Sequence, residues 1–219
     1  MRKLLYLLPF LLLGCTGSNR DESEVIIPAN WQQLGLDVFT IRVPGDWMFE
    51  QPGGFPYAIS GKIAGPNVLM GFDLNTREPI DRLPLTEKEY LATNKWWKEV
   101  FAFYVSQADK EIKPITTEQK KKYPKASYIA YLKYGAKTGI LPIELPEDIA
   151  AQNFKVDSND KYVYKTTWPK VAGKGVTGIY IRSRSSAMNF QLSGSDLAKK
   201  DQESALLAFK TVKFKHDQQ

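Results

Sequence analysis

Alternation of apolar and polar residues dominates the first part of the chain and predicts β-strands. Phe39, Ile41 and Val43 alternate with polar residues, which is the period of a half-buried strand. The turn signal Pro44-Gly45-Asp46 follows directly. The same alternation recurs in three further segments, 47–49, 57–63 and 68–74. We therefore expect three or four antiparallel strands joined by short links.

A helical period follows these strands. Thr86 and Glu89 have the spacing of a capping box, and the apolar residues after them recur at helical spacing. The pattern predicts a helix near 87–105 whose apolar arc spans about 200°, wider than the stripe of roughly 100° that a surface helix needs. Trp96 and Phe103 lie at the edges of this arc. They are therefore candidates for contact with a partner, while packing of the extra arc against a downstream strand is the alternative.

The rest of the chain returns to alternation and ends in a second helix. Four segments predict strands, at 128–134, 162–166, 176–180 and 188–192. Ser195 or Asp196 is placed to cap a helix near 197–210, and Val212 to Phe214 predicts a short closing strand. This order predicts the α+β class, an antiparallel β-sheet with flanking helices. The side chains that the fold should bury include Trp47, Phe72, Tyr180 and Phe190.

The first residues have the pattern of a secretion signal. Arg2-Lys3 precedes the apolar run Leu4 to Leu13, which as a helix rises only about 15 Å, half of the roughly 30 Å hydrocarbon core. The run ends in Leu12-Leu13-Gly14-Cys15, which resembles the bacterial lipobox. The resemblance implies that residues 1–14 are a lipoprotein signal peptide and that Cys15 carries the lipid. An ordinary signal peptide with a stray cysteine is the alternative.

Lipidation would determine where the protein works. Two or more acyl chains hold a protein firmly on a membrane, so we expect an envelope protein anchored through Cys15. The outer membrane is the expected site, and either leaflet is compatible with the sequence. Residues 15–30 are mostly small and polar, which predicts a flexible tether before a single α+β domain at 31–215. Cys15 is the only cysteine, so no disulfide forms within the chain.

Charge narrows the range of partners. The chain has a formal net charge of +6, which falls to +4 without Arg2 and Lys3. The lysines are dispersed, which favours solubility or contact with anionic surfaces. Nucleic acid is not expected as a partner, because an exported protein rarely meets it.

Both ends of the predicted domain resemble a known family. The opening Phe39-Thr40-Ile41-Arg42-Val43-Pro44 with Trp47 is similar to that of uncharacterised Bacteroidota lipoproteins, and so are three closing segments, Gly175 to Ile181, Phe190 to Gly194 and Phe209 to Phe214. These segments look like the Mog1/PsbP-like α/β/α sandwich. The resemblance implies that fold, and it implies protein binding instead of catalysis. The region near 76–161 has no match within the family.

The sequence lacks most of the residues that catalysis commonly uses. The only histidine is His216, close to the end of the sequence, where an oriented imidazole is not expected. No G-x-S-x-G motif surrounds Ser195. Without histidine clusters or a free cysteine, we expect no metal and no cofactor. Carboxylates such as Asp73, Glu144 and Asp148 remain as candidates for acid–base work.

Two hypotheses from different classes are compatible with these features. The first is a membrane-tethered, non-catalytic binding or accessory module for a protein or glycan partner, which cannot be separated by sequence from a purely structural envelope component. Its candidate contact residues are Trp96, Phe103, Lys120, Lys121 and Lys122. The second is an envelope hydrolase that uses carboxylates or a Ser-Lys arrangement. A shallow aromatic surface would favour the first hypothesis, and a deep pocket with converging carboxylates the second.

Overall fold

The computed structural model describes residues 25–55, 58–97 and 108–215. This part of the chain forms thirteen strands and four helices. The strands are β1 (Trp31–Gly35), β2 (Phe39–Pro44), β3 (Met48–Phe55), β4 (Ala58–Gly65), β5 (Val68–Asn75), β6 (Asp109–Pro114), β7 (Tyr128–Tyr134), β8 (Lys137–Ile143), β9 (Gln152–Ser158), β10 (Tyr162–Pro169), β11 (Val176–Ser183), β12 (Asn189–Ser195) and β13 (Lys213–Phe214). The helices are α1 (Glu87–Ala92), α2 (Thr117–Lys122), α3 (Glu147–Ala150) and α4 (Lys199–Phe209).

The strands form three sheets, and the paired strands in each are antiparallel. The large sheet has the order β3-β4-β5-β12-β11-β10-β9, and the two smaller ones have the orders β1-β2-β13 and β6-β7-β8. The β6-β7-β8 sheet is called the small sheet below. The expectation of antiparallel β-sheet is confirmed, and the described residues are mainly β, with few helices. None of the helices in the described ranges is long and apolar enough to cross a membrane.

The main core lies on one face of the large sheet. On β5, Val68, Met70, Phe72 and Leu74 are buried while the residues between them are not, because one face of the strand packs inward and the other does not. The β1-β2-β13 sheet and α4 belong to the same core. The ring centroids of Phe39 and Phe190 are 4.7 Å apart there. The four side chains that were expected to be buried are all buried, namely Trp47, Phe72, Tyr180 and Phe190.

The expected helix near 87–105 is shorter than the sequence predicts. Its capping box is present, with Thr86 and Glu89 each bonded to the other's backbone N–H. The helix ends at Ala92, and Asn94 has a left-handed φ of 56°, a conformation that interrupts a right-handed helix. Residues 98–107 lie outside the described ranges, so the remaining part of this prediction is not tested.

Two other sequence predictions differ from the structure. The N-cap residue of α4 is Ala198, and no side chain caps it, so the prediction of Ser195 or Asp196 as the cap is wrong. Asp196 instead accepts a hydrogen bond of 2.7 Å from the backbone N–H of Gly175 and closes the end of the β11–β12 pair. The lysine-rich segment 109–125, which carried no predicted element, contains β6 and α2.

Candidate functional site

Trp96 is a core residue of the small sheet. Its side chain is only 6% exposed, and its indole Nε1 donates a hydrogen bond of 2.8 Å to the carbonyl of Leu91. The ring packs with Ala130 and Ile143. The prediction that Trp96 is left exposed for a partner is therefore wrong, because the chain turns after Ala92 and folds this ring onto the sheet. The alternative, packing against the downstream strand, is what the structure shows for Trp96.

Trp97 and several aliphatic side chains complete this packing. The ring centroids of Trp96 and Trp97 are 5.1 Å apart, and the half-buried residues beside them are Ile112, Tyr128, Leu132 and Leu141. This side of the small sheet is called the packed face below. Phe103, the other aromatic candidate, lies outside the described residues, as do Cys15, the predicted signal segment and His216.

The opposite side of the small sheet is an open groove. Its volume is about 740 Å³. In the register of the sheet, Tyr131 stands between Glu111 and Ile140, and Lys133 stands between Asp109 and Thr138. All of these residues line the groove, together with Lys122 and Tyr123 at the end of α2. This cavity, called the groove below, is shallow and contains an aromatic ring.

Tyr131 is held in the groove by α2. The Nε2 of Gln119 donates a hydrogen bond of 2.7 Å to the phenol oxygen of Tyr131. The other end of the same amide, Oε1, accepts a bond of 3.0 Å from the backbone N–H of Thr116, which completes the capping box of α2. Because Gln119 uses both ends of its amide, the start of the helix and the position of Tyr131 depend on one side chain.

The groove contains side chains of both charges. Glu111 is paired with Lys113 at 2.9 Å, and this bond raises the pKa of Lys113. Two further lysines have side chains on this side, Lys122 and Lys133, and Asp109 stands opposite Lys133 in the register. These three side chains form no ion pair in the described part of the chain. Lys110 stands opposite Leu132 in the register, and its ammonium lies on the packed face, 2.5 Å from Asn94 Oδ1 and 5.2 Å from the ring centroid of Trp97.

The three lysines predicted as contact residues all lie on α2, and only one of them lines the groove. Lys122 does so, with its ammonium 5.2 Å from the ring centroid of Tyr123. Lys120 donates a bond of 2.6 Å to the carbonyl of Ala126 and so fixes the turn after the helix. Lys121 is exposed and does not line the groove. The three neighbouring lysines of α2 therefore differ in position: Lys120 stabilises the turn, Lys122 lines the groove and Lys121 is exposed elsewhere.

Sequence reasoning did not single out three residues that line the groove, Tyr131, Lys133 and Ile140. A signal for them was present in β7. If Ala130 and Leu132 face the packed side, Tyr131 and Lys133 must face the other side, because successive strand residues point to opposite faces. The Thr116 and Gln119 capping-box spacing also marks the helix that closes the groove.

A second polar cluster surrounds Lys165 on the outer face of the large sheet. Lys165 is only 3% exposed. Its ammonium forms an ion pair with Asp81, lies 3.2 Å from Glu89 Oε2, and donates to the carbonyl of Pro84 at 3.3 Å. A lysine ammonium has three hydrogens, and these three acceptors account for all of them. Tyr180 stands opposite Lys165 in the register. Burial raises the pKa of Tyr180, and the negative charge of Asp81 raises it further.

Helix α1 joins this cluster to the small sheet. Burial raises the pKa of Glu89, but the hydrogen bond from the backbone of Thr86 and the charge of Lys165 outweigh it, and the pKa is lowered overall. At the start of the same helix, Glu87 accepts a hydrogen bond from the hydroxyl of Tyr128, which raises the pKa of Tyr128 to about 12. One short helix thus contacts both sheets and helps to position the groove.

The candidate carboxylates do not form a catalytic pair in the described residues. Asp73 pairs with Arg82 at 3.4 Å on the large sheet. No hydrogen bond or ion pair there joins Asp73 to Glu144 or Asp148, both of which are exposed. In the described ranges, no group of three or more histidine, cysteine or acidic side chains is arranged to hold a metal ion. No protein-family model matches the chain, and no curated protein shows significant similarity to it.

Proposed function

We propose that this protein is a membrane-tethered envelope lipoprotein that acts as a non-catalytic binding or accessory module for a protein or glycan partner. The lipid on Cys15 would hold it in the bacterial envelope, with the outer membrane as the expected site. The groove of the small sheet would be its contact surface. A tethered module needs no apolar surface for membrane attachment, so the groove remains available for a partner.

The observation that carries this proposal is the fixed position of Tyr131 in an open groove that Lys122 and Lys133 also line. An aromatic ring held by a hydrogen bond loses little conformational entropy on binding, which favours affinity. Charged groups around such a ring add specificity and speed association. The groove also lies within the 76–161 region, where the sequence departs from the family that its two ends resemble.

We also propose the finer fold assignment, a Mog1/PsbP-like sandwich. A Mog1/PsbP-like sandwich would have a sheet covered on both faces, and here α4 packs on one face of the large sheet while Glu89 of α1 reaches Lys165 on the other. The chain also ends in the expected order of a helix followed by a short strand, α4 and β13. The resemblance associates that sandwich with protein binding, although fold alone does not determine function.

The geometry gives less support to the hydrolase hypothesis. A Ser-Lys mechanism needs a lysine that can accept a proton from a serine hydroxyl. The ammonium of buried Lys165 is bonded to two carboxylates and a carbonyl, and these three acceptors use all of its hydrogens. Lys165 therefore fits a structural anchor for the segment from Asp81 to Glu89 better than a general base.

The test is capture of envelope material by the full-length protein in detergent. Lys133→Glu reverses a charge inside the groove, and Lys213→Glu makes the same change at an exposed position on β13. We expect the first variant to lose at least tenfold in captured material and the second to behave like the wild type. Equal capture by all three proteins would overturn the groove as the contact surface, and hydrolysis of the captured material would favour the enzyme.

A further inference from the structure

We propose that strand β9, at one edge of the large sheet, pairs antiparallel with β9 of a second copy of this chain. The pairing is centred on Val156 and joins two seven-stranded sheets into one across a two-fold axis. This inference goes beyond the proposed function, because it uses neither the groove nor the small sheet. It is drawn from the free backbone groups of β9, from its charge pattern and from the exposure of Val156.

The backbone of β9 presents hydrogen-bonding groups on its open side. Just after the strand, the N–H of Asn159 donates a bond of 2.9 Å to the carbonyl of Tyr162 on β10. Because the direction of backbone groups alternates along a strand, this bond means that the odd-numbered residues of β9 bond to β10. The N–H and carbonyl groups of Phe154, Val156 and Ser158 therefore point away from β10. They form no hydrogen bond in the described part of the chain.

The other edge strands are less suited to accept a further strand. Natural proteins interrupt exposed edges with proline or with bulges, because an added strand needs a regular row of backbone groups. β3 has a register shift and Pro52, β6 and β8 contain Pro114 and Pro142, and β13 has only two residues. β1 has no charged residue that could set a register. β9 has seven residues, with no proline and no register shift.

The charges of β9 are self-complementary and select one register. Lys155 and Asp157 stand on either side of Val156 and form an ion pair of 2.9 Å within the strand. In an antiparallel pair centred on Val156, Lys155 of each copy stands opposite Asp157 of the other. These positions form pairs without mutual backbone bonds, in which the Cα atoms lie about 4.5 Å apart, so each ammonium reaches both carboxylates. Centring the pair on residue 155 or 157 instead would place like charges opposite each other, which is unfavourable.

The outer face of β9 adds an apolar component to the pairing. Val156 is 54% exposed, and half-buried Phe154 lies on the same face of the strand. In the pair centred on Val156, the two valines stand opposite each other, and each Phe154 lies diagonal to the valine of the other copy. The pairing therefore removes exposed apolar surface from water on this face, while it joins opposite charges on the other face.

The test measures co-purification of two differently tagged copies of the full-length protein in detergent. Lys155→Asp makes both charges of β9 negative, and Asp157→Lys makes both positive. Each variant alone then places like charges opposite each other, whereas a mixture of the two variants restores two pairs of opposite charge. Lys62→Asp makes the same change at an exposed position on β4 and is the control. A thermal melt of each variant reports whether it is folded.

We expect copies of the wild type to co-purify, and copies of Lys62→Asp to do so within twofold of the wild type. Each β9 variant should lose at least tenfold when both tagged copies carry the same substitution. The mixture of Lys155→Asp with Asp157→Lys should return to within threefold of the wild type. Wild-type copies that do not co-purify, or losses that the mixture does not reverse, would overturn the proposal.

A disulfide trap covers the case in which Asp157→Lys fails to fold, since the Asp157 side chain is only 14% exposed. Lys155→Cys and Asp157→Cys are mixed and oxidised, and the linked peptides are identified by mass spectrometry. The expected Cα separation of about 4.5 Å lies within the range that a disulfide spans, and one Lys155–Asp157 contact remains intact. We expect disulfides between positions 155 and 157 to be at least tenfold more abundant than those joining identical positions. An excess of 155–155 or 157–157 disulfides, or no disulfide at either position, would overturn the proposal.

Discussion

Gln119 and Tyr131 are joined by a hydrogen bond of 2.7 Å that couples the start of α2 to the floor of the groove. The same amide caps the helix through the backbone N–H of Thr116. One polar side chain therefore has both a local role in the helix and a longer-range role in placing an aromatic ring. This coupling leads to a prediction in which stability and binding change together.

Replacing Gln119 with alanine should affect both properties. The loss of the capping interaction and of the bond to Tyr131 should lower the free energy of unfolding by about 1 kcal/mol. Affinity for the groove ligand should fall as well, because the ring is no longer held. The matched variant Tyr131→Phe keeps the helix cap and the aromatic ring but removes the hydroxyl that Gln119 contacts. Denaturant unfolding with binding assays would separate the two effects, and unchanged binding in both variants would show that the coupling has no functional role.

Replacing Trp96 with alanine should act on stability first. The side chain is 6% exposed and packs in the core of the small sheet, so its truncation should cost about 3–5 kcal/mol. Chemical denaturation monitored by tryptophan fluorescence and circular dichroism would measure the change. An unfolding midpoint that does not move, together with lost binding, would mean that Trp96 contacts a partner after all.

The ion pair between Glu89 of α1 and Lys165 of the large sheet should make the free energy of unfolding depend on pH. The pKa of Glu89 in the folded protein is lowered below its usual value, so its contribution is present above the pKa of the unfolded state and is lost as pH falls through the folded value. Wild type and Glu89→Gln should therefore differ in unfolding free energy near neutral pH, and the difference should shrink on acidification below about pH 4. A difference that stays constant with pH would contradict the role assigned to the Glu89 charge.

Replacing Cys15 with alanine should release the protein from the membrane. The apolar run before Cys15 is too short to span a bilayer, and the prediction assigns the anchor to the lipid alone. Detergent-phase partitioning of fractionated cells would show the variant in a soluble or uncleaved form. Partitioning that is the same in the variant and the wild type would exclude Cys15 as the anchor.

Sequence patterns predicted most of the strands that pack on the main core, because one buried face imposes a period of two, but they did not indicate β9. The alternation in β2, β5 and β12 follows directly from packing against the main core. The capping box of Thr86 and Glu89 was also recognisable, because the motif is local.

The small sheet was harder to predict because β6 and β8 have few buried apolar residues, so they show little alternation of apolar and polar positions. In β6, only Ile112 is even partly buried, and the first four residues of β8 are exposed. The helix was predicted too long because apolar spacing continued past Asn94, and its left-handed conformation is not evident from hydrophobicity. The groove depends on how α2 packs across β7, a long-range arrangement that spacing along the chain does not specify.

The most direct test of the central claim, that the groove is the contact surface, is photocrosslinking in intact cells. Ile140 in the groove and Val171 in the β10–β11 hairpin are similarly exposed, at 56% and 60%. Each would be replaced in turn by p-benzoylphenylalanine, which inserts into nearby C–H bonds when irradiated. The account predicts a heavier crosslinked species from position 140 and none from position 171. Crosslinks of equal yield at both positions, or at position 171 alone, would contradict it.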